Sequence, residues 1–131
     1  MASSYHQLGM VAQNRGDDDQ ALDWYRKSLV ISEELGKRVD LASSVSQIGI
    51  LHTERGNLAD AVSWNLRALA IRLELQVPQV RTDLYWLGRQ REMLGEERFF
   101  EVLGEHLDED SRSAVLSMLD RFAAPADGAT E

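Results

Sequence analysis

Apolar side chains along this chain return at steps of three and four, the spacing of amphipathic helices rather than of strands. Leu22, Tyr25, Leu29 and Ser32 interleave with Trp24, Ser28 and Ile31 on one such segment. Val115, Met118, Leu119 and Phe122 fall on a single face of another. Gly16, Gly36, Gly56 and Gly95 stand where the periodic runs stop, as suits a residue that enters left-handed geometry without strain. Asp17 with Gln20, and Asn57 with Asp60, resemble capping boxes opening the next helix, and Pro78 suits the first turn of another. The pattern predicts helices over 3–15, 18–35, 38–55, 58–75, 78–94, 97–107 and 111–123. A disordered tail is expected over 125–131, which contains Gly128 and opens at Pro125.

The helices repeat. A shift of 40 residues lays Gly9 on Gly49, Arg15-Gly16 on Arg55-Gly56, Ala21 on Ala61, Trp24 on Trp64 and Leu29 on Leu69. A further shift of 39 brings Ile48-Gly49 onto Leu87-Gly88 and Arg55-Gly56 onto Leu94-Gly95. Each copy is a helix, a tight glycine turn and a second, antiparallel helix. One pair cannot bury its own apolar face, so consecutive pairs must stack. Gly9, Gly49, Ala21 and Ala61 are small where the paired helices would cross closely. The fold class expected is all-α, an α-solenoid of helix pairs within one domain over 1–124. Its repeats fall at 3–36, 38–76 and 78–107, with a capping helix at 111–123.

This pattern resembles the tetratricopeptide repeat family. The first copy supplies Tyr5, Leu8, Gly9, Gly16, Ala21, Tyr25 and Ser28 at the family's positions; the second supplies Val45, Ile48, Gly49, Gly56, Ala61, Asn65 and Ala68. The spacing near 40 looks like the long-helix subclass found in signalling adaptors and bacterial regulators. In the third copy Phe100 takes the alanine position and Gly104 the aromatic one, so 96–123 reads as a C-terminal cap. The start carries no preceding polar helix. Either the chain is the C-terminal part of a longer array, or Tyr5, Leu8 and Val11 form an open face for self-association into a homodimer.

The composition narrows the function. The chain has 131 residues, no cysteine, and a net charge of −8 from 22 acidic and 14 basic side chains. The charge is uneven, about −1 over residues 1–95 and −7 beyond. A negative field disfavours phosphates, hence nucleic acid. The missing cysteine removes disulfides, thiolate catalysis and the common zinc sites. No basic–apolar leader and no membrane-length apolar run is present, so a soluble, cytoplasmic protein is expected.

Candidate chemistry is sparse. No serine lies in a nucleophile elbow and no glycine-rich phosphate loop occurs. His6, His52 and His106 are far apart in sequence and read as groove or surface side chains rather than metal ligands. Glu96, Glu97, Glu101 and Glu105 form an acidic stripe that reads as a solvated cap face, and Asp17-Asp18-Asp19 lacks the alternation of a calcium loop. Trp24 and Trp64 read as packing between repeats. No cofactor, no metal and no enzymatic activity are expected.

The resemblance implies instead a protein or peptide ligand in a concave groove lined by first helices. Carried over by position, the groove offers His6, Gln7, Met10, Gln13 and Asn14, then Ser46, Gln47, Ile50 and Thr53, then Tyr85, Trp86 and Arg89. The family's carboxylate clamp is absent, because its positions hold His6, Met10, Gln47, Thr82 and Trp86. The function expected is a non-enzymatic binding module, as the C-terminal part of a larger bacterial regulator, with self-assembly as the alternative.

Overall fold

The computed structural model of the chain describes the backbone of residues 2–129 and the side chains of residues 4–122. Seven helices follow in order: α1 (Ala2–Asn14), α2 (Asp18–Leu35), α3 (Arg38–Glu54), α4 (Leu58–Leu75), α5 (Val80–Leu94), α6 (Glu96–His106) and α7 (Glu109–Ala129). The described residues contain no strand. α1 packs on α2, α2 on α3, α3 on α4 and α4 on α5, the consecutive stacking of a solenoid.

The boundaries follow local chemistry. Asp17 caps α2, its carboxylate accepting the Gln20 backbone N–H at 3.1 Å. Asn57 makes no such bond to α4; its amide lies 3.5 Å from His52 Nδ1 instead, so the expected second capping box does not form. Gly16, Gly36, Gly56 and Gly95 all have positive φ. Gln76 occupies the place of Gly36 one repeat later and takes the same left-handed geometry, with φ 56°. Pro78 lies in the turn before α5 rather than in its first helical turn. Asp108 caps α7 through the Ser111 N–H at 2.7 Å, so α7 begins two residues earlier than periodicity predicts. Its helical backbone runs on past the expected end, but side chains from 123 onward and residues 130–131 lie outside the described residues. The disordered tail expected over 125–131 thus coincides with helical backbone up to residue 129.

Small residues sit at the crossings. A Cβ on Gly9 would stand 2.6 Å from Tyr25 Cε1, and one on Gly49 would overlap the Asn65 carboxamide oxygen. Gly88, the third copy's equivalent, would meet nothing. The third crossing is therefore looser.

Two apolar cores result. One joins α1–α4 around Tyr25, Val45, Ile48 and Leu51. The other joins α4–α7 around Leu69, Leu87, Phe99 and Leu103. Trp24 and Trp64 pack partly buried against the first. Tyr5 stacks on Trp24 within the same helix pair at 5.5 Å, which accounts for both rings without a ligand. In α6, Phe99 is fully buried while Phe100 is exposed beneath the Arg112 guanidinium at 4.1 Å.

Candidate functional site

The repeat register groups the first-helix residues into rows: 6, 46 and 85; 7, 47 and 86; 10, 50 and 89; 13, 53 and 92. Within a row, exposure depends on what the next first helix does. Ser46 and Thr53 were expected in the groove, but both are buried because α5 closes over them. Ser46 donates to Asp83 Oδ1 at 2.9 Å, and Thr53 Oγ1 accepts from Gln90 Nε2 at 2.9 Å while donating to the Gly49 carbonyl. Ile50 is buried as well. These three are structural in this arrangement. Gln47 is half-buried.

On α1 the same logic leaves a mixed set. His6 is half-buried, 3.3 Å from Ser44 Oγ, and its ring lies 5.2 Å from Tyr25. Burial pushes its imidazole below the ordinary 6.5, with Asp40 opposing. Gln13 accepts from the Tyr25 hydroxyl at 2.8 Å, and burial, aided by Glu54, pushes that phenol up to about 12. Both are held by α2 and α3. Gln7, Met10 and Asn14 remain exposed.

On α5 the row opens fully. Tyr85 and Arg89 are exposed, Trp86 is half-buried, and the Tyr85 and Trp86 rings meet edge-on at 5.4 Å. α7 follows where another first helix would stand, yet it does not close over Tyr85 and Glu92. Two adjoining cavities of about 180 and 500 Å³ lie along the α5–α7 seam, both bordered by Leu84 and Phe122, beside the Arg91–Asp120 ion pair that joins the helices at 3.0 Å. Sequence reasoning missed this α7 wall, namely Met118, Leu119, Arg121 and Phe122. The signal was available, since three of them lie on the apolar stripe assigned only to capping.

Beneath the groove lies a polar layer that the sequence did not disclose as a unit. Asp83 is fully buried and pairs with Arg72 Nη1 at 2.9 Å; Asn65 donates to it at 3.1 Å, and Gln90 donates to Asn65 Oδ1 at 2.9 Å. Burial raises the Asp83 pKa despite the guanidinium and the hydrogen bonds that favour its ionised form. Gln90 Oε1 has no partner. This layer divides the two cores and fixes α5 on α3 and α4. Polar residues at buried first-helix positions were the available clue, since they demand partners.

The residues expected to self-associate lie on α1. Leu8 and Val11 are 43% and 46% exposed, whereas their counterparts Ile48 and Leu51, covered by the preceding pair, are 0% exposed. Tyr5 belongs to that face only at its edge, being half-buried on Trp24.

His52 and His106 do not join His6, and no cluster of three metal-ligating side chains occurs among the described residues. No helix among them is long and apolar enough to cross a membrane. Stacked helix pairs with glycine turns, close glycine crossings and an exposed first-helix row define a helical repeat protein. The family model of the tetratricopeptide repeat matches residues 1–74, and the chain belongs to that family. Members generally mediate protein–protein interaction as non-enzymatic scaffolds. No curated protein matches the chain.

Proposed function

We propose that the chain is a non-enzymatic docking module that receives a protein or peptide segment along its first-helix face. The supporting observation is the contrast within the rows. Ser46, Ile50 and Thr53 are enclosed, while Gln7, Met10, Asn14, Tyr85 and Arg89 are exposed and Trp86 is half-buried. Gln and Asn both donate and accept, which suits main-chain recognition, and the aromatic–arginine cluster supplies the anchor type typical of hot spots. Such a module fits the C-terminal part of a larger bacterial regulator. Panning a random peptide library against the whole chain tests this. Selected peptides should lose affinity for Trp86→Ala and Arg89→Glu while both variants keep wild-type unfolding midpoints. Undiminished binding to both would sink the groove assignment.

A second reading rests on Leu8 and Val11, apolar and exposed where the equivalent residues are fully covered. A second copy covering them would make the chain a self-assembly module. Light scattering over about a hundredfold concentration range distinguishes the two. A mass that rises, and that Leu8→Glu with Val11→Glu returns to monomer, supports it; a constant monomer excludes it.

A further inference from the structure

The groove between α5 and α7 has a character distinct from the rest of the first-helix face. At the equivalent junctions the helices touch: Ser44 reaches His6 at 3.3 Å, and Asp83 accepts from Ser46 at 2.9 Å. Between α5 and α7 Arg91 likewise reaches Asp120 at 3.0 Å, and beside that contact lies an open groove bordered by Leu84, Leu119 and Phe122. Around it stand Arg81, Arg89 and Arg121, all exposed. Among the described residues none of the three is ion-paired, and neither are Arg15, Arg26 and Arg112, whereas the other six arginines pair with a carboxylate within 3.1 Å or, for Arg98, at 3.9 Å. Glu92 is the acidic side chain in the lining. In a protein of net charge −8, three exposed guanidiniums around one apolar cleft concentrate positive potential locally.

We propose that this cleft takes an acidic amphipathic peptide segment, one whose apolar side chains enter between Leu84 and Phe122 while its Asp or Glu side chains meet Arg81, Arg89 and Arg121. The inference rests on the docking reading above and names the chemistry of its partner. Guanidiniums bind carboxylates through paired parallel hydrogen bonds, so the rim selects sign and the floor selects apolarity. The chain beyond residue 95 carries about −7 in all, so the attraction for an acidic peptide is local to the three guanidiniums that rim the cleft.

The test uses the whole chain and three synthetic peptides of one length. The first alternates Leu and Phe with Asp and Glu; the second replaces each acid by its amide; the third keeps the acids and replaces Leu and Phe by Ser. Binding is read by fluorescence anisotropy, and its location by backbone amide chemical shifts. The first peptide should bind at least about tenfold more tightly than either control, a difference of about 1.4 kcal/mol. Its shifts should map to α5 and α7, and added salt should weaken it. Arg81→Glu and Arg121→Glu, at exposed positions with no structural bond to another helix, should each lower its affinity about tenfold with an unchanged unfolding midpoint. Equal binding of the amide peptide, or unchanged affinity in both variants, overturns the proposal. So does tight binding of inorganic phosphate at the same amides, which would mark a general anion site. Shifts confined to α1 and α3 would overturn this inference and leave the docking reading standing. No shift with any peptide, together with failed library panning, would remove both.

Discussion

Replacing Arg72 by Met removes one half of an ion pair whose other half, Asp83, has 0% exposure. The methionine keeps most of the aliphatic stem, so the loss falls on the guanidinium. Breaking a buried pair from one side costs about 3–5 kcal/mol, because the surviving charge stays in a poor solvent. Ser46 and Asn65 still donate to Asp83, which places the expected loss near the lower figure, about 3 kcal/mol. A domain of this size has roughly 5–15 kcal/mol in all, and urea slopes of roughly 1–3 kcal/mol per molar put the midpoint shift at about 1–3 M. The double variant Arg72→Met with Asp83→Leu should recover much of that loss. Burial raises the Asp83 pKa even beside its partner, so desolvation outweighs the attraction that the pair provides. Urea unfolding followed by circular dichroism gives the full cycle. A single-variant loss below about 1 kcal/mol, or a double variant less stable than Arg72→Met, would refute the reasoning.

Gly49→Ala should destabilise by about 1–3 kcal/mol, because its Cβ overlaps an Asn65 held in place by Asp83 and Gln90. Gly88→Ala, at the equivalent but open crossing, should instead gain about 0.5–1 kcal/mol of helix propensity; thermal melts compare the two directly. Gln76→Gly should raise stability by about 0.5 kcal/mol, since left-handed strain of about 1–2 kcal/mol exceeds the added chain entropy. Burial lowers the pKa values of His6 and His52, so the stability they contribute is present above pH 6.5 and is lost as pH falls through their folded values. His6→Gln should flatten that part of the curve of stability against pH, and an unchanged slope would count against it. Asp83 acts with the opposite sign: its raised pKa favours the folded state as pH falls through that value, which offsets the histidine loss at the acid end.

The helices and their order were legible in the sequence because both rest on local and periodic signals. Glycine turns at 16, 36, 56 and 95, and stripes of period 3.6, fixed α2 and α4 to the residue. The groove was legible only in part, because exposure is a property of the neighbouring helix and not of the position. Gln7 and Trp86 share a row, as do Met10 and Ile50, yet Met10 is 46% exposed and Ile50 8%. What closes over Ser46 and Thr53 is a pair of polar residues, Asp83 and Gln90, at first-helix slots where α3 carries Ser44 and Leu51. Family positions carried over one by one treat each repeat alike, and so miss a contact that exists at one junction. The α7 wall escaped for a related reason: a helix assigned to end the stack also borders its cleft.

The polar layer between the two cores means that the repeats of this chain are not interchangeable parts. A copy of α3 spliced into the place of α5 would bring Leu51 to where Gln90 now meets Thr53 and Asn65, and Ser44 to where Asp83 meets Arg72. The array would then bury a guanidinium with no carboxylate opposite it and an Asn65 carboxamide oxygen without its Gln90 donor. Lengthening by simple duplication is therefore blocked at this junction. The order of the units is written into the hydrogen bonds that join them, and growth of the array would have to proceed from its other end.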